Sequence, residues 1–222
     1  MRLPLGCKSI DDLLGGGFEG GCITLIFGEA GSGKTNICLQ AARNVVRAGK
    51  KVIYIDTEGV SMERLEQICE DDFEVVAKNT LFSEPYSFDE QEVLIEKAVK
   101  ITESSPDVGL IVIDSATMHY RLTLREEARR DDLHMLTRQI AKLVKVSRKV
   151  GIPVIATSQV YTDIETGRFL PLGGHMLTHS AKTIVELSKT GPSARVARLV
   201  KHRSAEENRS ARFRLTSKGV EA

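Results

Sequence analysis

Hydrophobic and polar positions alternate in blocks along this 222-residue chain. Four short runs are almost wholly apolar: ITLIF (23–27), VIYI (52–55), LIVI (110–113) and PVIAT (153–157). They are rich in β-branched residues and lack polar alternation, which predicts strands of a parallel sheet buried on both faces. Helical spacing fills the gaps. Residues 34–48 predict a helix ended by Gly49, and Ser87-Phe-Asp-Glu90 reads as a capping box before Leu94, Ala98 and Ile101. Residues 126–150 carry Leu133, Leu136, Ile140, Leu143 and Val144 at helical intervals and stop at Gly151 and Pro153. Strand alternating with helix implies an α/β fold, a mostly parallel sheet flanked by helices. The last segment reads differently. RVARLV (195–200) and ARFRLT (211–216) flank a polar stretch, and Arg212 and Arg214 alternate with Phe213 and Leu215. That pattern predicts a C-terminal antiparallel hairpin added to the sheet.

Composition changes this picture little. Hydrophobic residues make up 41% and charged residues 27%, the balance of an ordinary globular protein. No apolar run is long enough for a membrane span, and the first residues lack the apolar core of a secretory signal. A cytoplasmic, nucleoid-associated protein is expected. Cys7, Cys22, Cys38 and Cys69 lie far apart, which argues for small core residues in a reducing compartment. No linker or repeat divides the chain, so one domain over 1–222 is expected. Charge matters more. The net charge is +1, yet residues 182–218 hold ten Lys/Arg against three Asp/Glu. A basic segment on an acidic body points either to a polyanionic partner or to a solvated basic face.

The strongest chemical signal is Gly28-Glu29-Ala30-Gly31-Ser32-Gly33-Lys34-Thr35, which satisfies G-x-x-x-x-G-K-[ST] with a strand before it and a helix after it. Glycines let successive backbone N–H groups turn toward one anion, and the helix start adds its positive end. Lys34 then supplies a full charge to the β- and γ-phosphates, and the Thr35 hydroxyl can ligate magnesium. These residues predict ATP and Mg²⁺ as ligands. Asp114, closing LIVID, stands where open α/β sheets place their ligands and is the expected metal-side carboxylate. YIDTEG (54–59) ends another run with Asp56 and Glu58; Glu58, before Gly59, is preferred as the base that polarises water. Gln159, in ATSQV, ends a fourth run and can reach a γ-phosphate.

Lys34, Glu58, Asp114 and Gln159, in this order, resemble the core of RecA-type recombinases. The likeness is closest to the archaeal and eukaryotic branch, through GCKSIDDLLGGGFEGGCITLIFGEAGSGKT, VIYIDTEG, LIVIDSAT, PVIATSQV, PLGGHMLTHSAKT, RVARLVK and RFRLTSKGVE. The resemblance spans essentially the whole chain. Archaeal RadA also carries an N-terminal helix-hairpin-helix domain and a Phe-containing polymerisation motif. This chain begins near the ATPase core, so it resembles the short paralogues of that branch. KHR at 201–203 departs from RadA in the same direction.

The resemblance implies an ATP-binding, DNA-binding accessory protein of homologous recombination and repair. It would be a weak ATPase that modulates RadA rather than exchanging strands itself, and a weak homo-oligomer. Implied partners are single-stranded DNA, with double-stranded and branched DNA as further ligands, RadA, and other repair proteins. The first DNA loop would be 118–130, with Arg121 and Arg125; the second would be 160–174, with Arg168. By charge count neither is a strong polyanion site, because Glu126, Glu127, Asp131, Asp132, Asp163 and Glu165 offset the arginines. Tyr120 either stacks a base or is half-buried, and His175 either meets ligand or is structural. Lys201, His202 and Arg203 are expected near the nucleotide, touching ATP, DNA or water. The rival class is a KaiC-like signalling ATPase that acts on protein partners without DNA. The stretch PLGGHMLTHSAKT and the C-terminal hairpin favour the recombinase side.

Overall fold

The computed structural model describes residues 1–123 and 129–222. A short N-terminal unit, β1 (Arg2–Leu3), α1 (Lys8–Leu13) and β2 (Phe18–Glu19), leads into β3 (Ile23–Gly28) and α2 (Lys34–Arg47). Then come β4 (Lys51–Asp56), α3 (Met62–Cys69), α4 (Phe73–Asn79), β5 (Thr80–Ser83), α5 (Phe88–Ser104) and β6 (Val108–Asp114). They are followed by α6 (Met118–Thr123), α7 (Arg129–Val150), β7 (Val154–Ser158), β8 (Val160–Thr162), β9 (Phe169–Pro171) and α8 (Gly174–Ser180). The chain closes with β10 (Thr183–Lys189), β11 (Ala194–His202), β12 (Ser210–Thr216) and β13 (Gly219–Glu221).

Nine strands form one sheet in the order β13-β12-β11-β10-β3-β7-β6-β4-β5. The stretch from β10 to β5 is parallel, and β11, β12 and β13 add in antiparallel fashion. The predicted α/β sheet with a C-terminal hairpin is therefore present. All four apolar runs are strands; three are extended by a residue or two, and the fourth starts at Val154, after Pro153, and runs on to Ser158. Each buries both faces: on β4, Val52 and Tyr54 enter one core layer while Ile53 and Ile55 enter the other. The first layer is filled by α1, α2, α3 and α4, the second by α5, α7 and α8. On α2 the small Ala41 and Ala42 are fully buried and let the helix lie close on the sheet. Phe213 is buried and Leu215 packs on the first layer, while Arg212 and Arg214 face solvent, as the alternation predicts.

Two local readings need correction. Ser87 caps α5 by accepting from Glu90 N–H, but the Glu90 carboxylate accepts from Tyr86 N–H, one residue before the cap. Leu133 is exposed, although Leu136, Ile140 and Leu143 are buried as expected. The 22-residue α7 is roughly 33 Å long, whereas strands of five to seven residues span roughly 17–23 Å. All four cysteines are buried and unbridged. Among the described residues, no helix is long and apolar enough to cross a membrane.

Candidate nucleotide site

The order β3-β7-β6-β4 places four carboxyl ends side by side. Lys34, Gln159, Asp114 and Glu58 follow or close these strands, so parallel topology assembles residues more than 120 positions apart.

The glycine loop is locked from outside. A Cβ on Gly28 would sit 2.3 Å from Leu187 O on β10 and 2.8 Å from Ser32 Oγ. Gly33, at φ +106, caps α2 from the left-handed region, and a Cβ there would meet Leu215 of β12 at 3.0 Å. Only glycine satisfies both the close approach and the backbone angle. Among the described residues no side chain caps the first turn of α2, and none of that turn's residues is acidic. The orphan N–H groups thus point at the loop with nothing to neutralise their partial positive charge. Ser32 Oγ is buried with no hydrogen-bond partner among the described residues. An uncapped helix start and an orphaned hydroxyl inside a tight loop fit a phosphate group. Lys34 is buried, and its Nζ donates to Gly28 O (2.9 Å) and Glu29 O (3.2 Å), so its charge lies along the same loop. Glu29 itself points away, to Lys189 of β10.

Asp114 is buried and heavily bonded. Tyr54 Oη donates to its Oδ2 (3.0 Å) and Thr157 Oγ1 donates to its Oδ1, and the Thr35 hydroxyl lies close enough to help stabilise the carboxylate. Burial raises its pKa, the Glu58 charge adds to that, and the three hydroxyls pull the other way. Thr35 and Asp114 thus stand close together, and an oxygen-rich pair of this kind suits a hard divalent cation. The two carboxylates after β4 have separate tasks. Asp56 is consumed by the turn: its carboxylate accepts the N–H groups of Glu58, Gly59 and Val60. That turn leaves Glu58 exposed to the cleft. Gln159 Nε2 donates to Glu58 Oε1 (3.2 Å), and its backbone N–H donates to Thr117 Oγ1.

Arg121 joins this group, which its expected place in a DNA loop did not anticipate. Residues 118–123 are helical, and Arg121 Nη1 donates to Gln159 Oε1 at 2.9 Å. The cleft is lined by Gly28, Ala30, Lys34, Glu58, Arg121, Gln159 and Val160. Arg125 lies outside the described residues. Arg168 is in the exposed turn between β8 and β9, so the second expected loop is largely a small hairpin. His175 stacks on His179 with centroids 5.8 Å apart, and Tyr120 is buried with its ring 6.1 Å from Phe88.

Lys201, His202 and Arg203 are not near the nucleotide cradle. His202 pairs with Thr183 and Thr183 pairs with Thr24, so they stand at the amino end of the parallel strands, across the sheet from Gly28. Their polar atoms are already engaged. Lys201 Nζ donates to Thr178 O (3.0 Å) and Ala181 O (2.8 Å) at the end of α8, His202 Nδ1 accepts from Ser204 N–H, and Arg203 pairs with Glu19. The antiparallel return of β11 reverses the chain's direction, which the sequence did not reveal.

Three residues missed in the sequence complete the site. Tyr54 and Thr157 hold Asp114 from inside apolar runs. Arg195 of β11 is buried, and its guanidinium donates twice to Gly31 O of the glycine loop (3.1 and 2.9 Å) and also to Gly191 O. The loop is therefore anchored to the C-terminal hairpin.

A strand, a glycine loop and a helix with Lys-Thr at its start, completed by three polar strand ends in adjacent order, define a P-loop protein of RecA-type architecture. The Rad51 family model matches residues 1–222. The chain is 47% identical to the DNA repair and recombination protein RadB of Methanococcoides burtonii, covering 99% of this chain and 97% of that protein. It is 40% identical to the RadB of Archaeoglobus fulgidus, covering 100% and 98%. A solved structure, titled "Crystal structure of the RadB recombinase", superposes with a TM-score of 0.86 at 38% identity, covering 99% of both chains. The chain belongs to the Rad51 family.

Proposed function

We propose that this chain is an ATP- and DNA-binding accessory protein of homologous recombination and DNA repair, a weak ATPase that modulates the RadA recombinase rather than exchanging strands itself. The recombination role is supported by the full-length likeness to RadB proteins. The observation that carries the ATP reading is the glycine loop with its uncapped helix start and its orphaned Ser32 hydroxyl.

In this reading the backbone of Gly28–Thr35 and the Lys34 ammonium bind the triphosphate. Thr35 and Asp114 would hold magnesium, which would supply positive charge beside the phosphates. Glu58, fixed by the Asp56 turn and by Gln159, orients water and takes its proton. Gln159 reports the terminal phosphate to the β8–β9 hairpin that follows it. Slow turnover follows from exposure: Glu58 and Arg121 are open to solvent, where electrostatic stabilisation of a transition state is weak. Arg212 and Arg214 of β12, with Arg168, supply phosphate contacts to DNA.

A titration of ATP with magnesium, followed by single-stranded DNA over a salt series and then by RadA, tests the reading. Uptake of ATP, DNA affinity that falls steeply with salt, and nucleotide-dependent RadA binding are expected. No DNA binding even at low salt would favour the protein-directed signalling class.

A further inference from the structure

Arg121 lines the same cleft as the glycine loop and Lys34. The short α6 is pinned from beneath: His119 Nε2 bonds to Pro85 O at 2.9 Å, and Tyr120 is buried beside Phe88. The Arg121 backbone N–H donates to Thr117 O (2.9 Å), and Thr117 Oγ1 in turn accepts from Gln159 N–H. With its two predecessors turned into the protein, Arg121 is exposed at the cleft and lines it together with Lys34 and Glu58. Among the described side chains, the acceptor that holds its guanidinium is the neutral amide oxygen of Gln159. A full cation resting on a neutral acceptor gains little Coulomb energy there, whereas two phosphate oxygens match the guanidinium fork. Lys34 and Arg121 bring two positive charges to a small cleft that also holds the Glu58 carboxylate, so the cleft has cationic groups for phosphate oxygens beside a base for water.

We propose that Arg121 is a ligand of the terminal phosphoryl group of ATP, supplied from within the chain. The proposal rests on the ATP reading above and deepens it. When the phosphate arrives, Arg121 exchanges the Gln159 amide oxygen for phosphate oxygens. Gln159 is then free to reorient, so the β8–β9 hairpin that follows it can follow nucleotide state. The residue after Asp114 that the family resemblance assigned to DNA serves the nucleotide instead.

The test compares Mg-ATPγS with Mg-ADP by calorimetry on the full chain, for wild type, Arg121→Ala, Arg121→Gln and Arg121→Lys. ADP affinity should be unchanged, which also reports that the variants fold. The preference for ATPγS over ADP should fall roughly ten- to a hundredfold in the Ala and Gln variants, the size of a lost charge-assisted hydrogen bond. Lys should recover part of it, because it restores the charge but not the fork. Single-stranded DNA affinity should stay at the wild-type level. An unchanged nucleotide preference with weakened DNA binding would overturn the proposal and return Arg121 to a DNA role. Equal loss of both nucleotides would also overturn it, since that reports a distorted cleft. If the wild-type chain took up neither nucleotide, the ATP reading itself would fall, and this proposal with it.

Discussion

The two ends of the parallel strands carry polar and charged residues with opposite fates. At the carboxyl end, Lys34 bonds to the glycine loop, Asp114 to Tyr54 and Thr157, and Gln159 to Glu58 and Arg121, around a helix start that no side chain caps. At the amino end, Lys201 satisfies the last carbonyls of α8 and Arg203 pairs with Glu19. Burial and the nearby Lys182 charge lower the Lys201 pKa, as befits an ammonium withdrawn from water. The first group borders an uncapped helix start and the unpartnered Ser32 hydroxyl; in the second, the cations rest on the carbonyls of α8 and on Glu19. A count of charges cannot distinguish them, but a list of partners can.

The sharpest way to break this comparison is to remove the base. Glu58→Gln keeps the shape and the Gln159 contact but not the negative charge. Single-turnover hydrolysis should slow by roughly 10²- to 10⁴-fold with ATP affinity retained. A variant that hydrolysed ATP at the wild-type rate would show that Glu58 is not the base. Lys34→Ala comes next. It removes the cation that Gly28 O and Glu29 O hold along the loop. ATP affinity measured by calorimetry should fall roughly a hundredfold, and an unchanged Kd would mean that the triphosphate lies elsewhere.

How far the sequence reached follows the same division. Motifs whose chemistry is fixed by spacing were legible: the glycine loop, and three polar residues each ending an apolar run. The four central strands were legible because burial on both faces leaves continuous apolar stretches. β10 was not, since Glu186 and Ser188 on its open face break the run and Arg198 covers Glu186 only once β11 has folded back. Tyr54 and Thr157 read as ordinary strand residues, because nothing local reveals that both point at Asp114. The basic segment has less uncommitted charge than its count suggests. Of its ten cations, Lys189, Arg195, Arg198, Lys201, Arg203 and Lys218 are occupied by internal carboxylates or carbonyls. Such pairings depend on contacts up to 184 positions apart.

Arg195 tests whether the hairpin truly supports the cradle. It is buried, and truncation would strand Gly31 O and Gly191 O without their donor. Arg195→Ala should destabilise the chain by about 2–3 kcal/mol and lower Tm by roughly 5–10 °C. Nucleotide affinity should weaken as well, because Gly31 loses its anchor. Thermal unfolding with and without ATP separates the two effects. Destabilisation with the ATP-induced shift in Tm fully preserved would mean that the hairpin stabilises the fold without shaping the loop.

The smallest effect is also the most discriminating between the two ends. Arg212 and Arg214 stand exposed on β12, on the face opposite Phe213 and Leu215. If they meet DNA phosphates, removing both should flatten the slope of log affinity against log salt by about 1.4 for single strands, from roughly 0.7 per phosphate contact. Arg203→Ala should leave that slope where it was, because its charge already belongs to Glu19. Fluorescence anisotropy with labelled single-stranded DNA at several salt concentrations reads both. Should Arg203→Ala flatten the slope as much as the β12 pair, the internal ion pair opens readily for DNA, and the amino end of the sheet would have to be counted as part of the nucleic-acid surface.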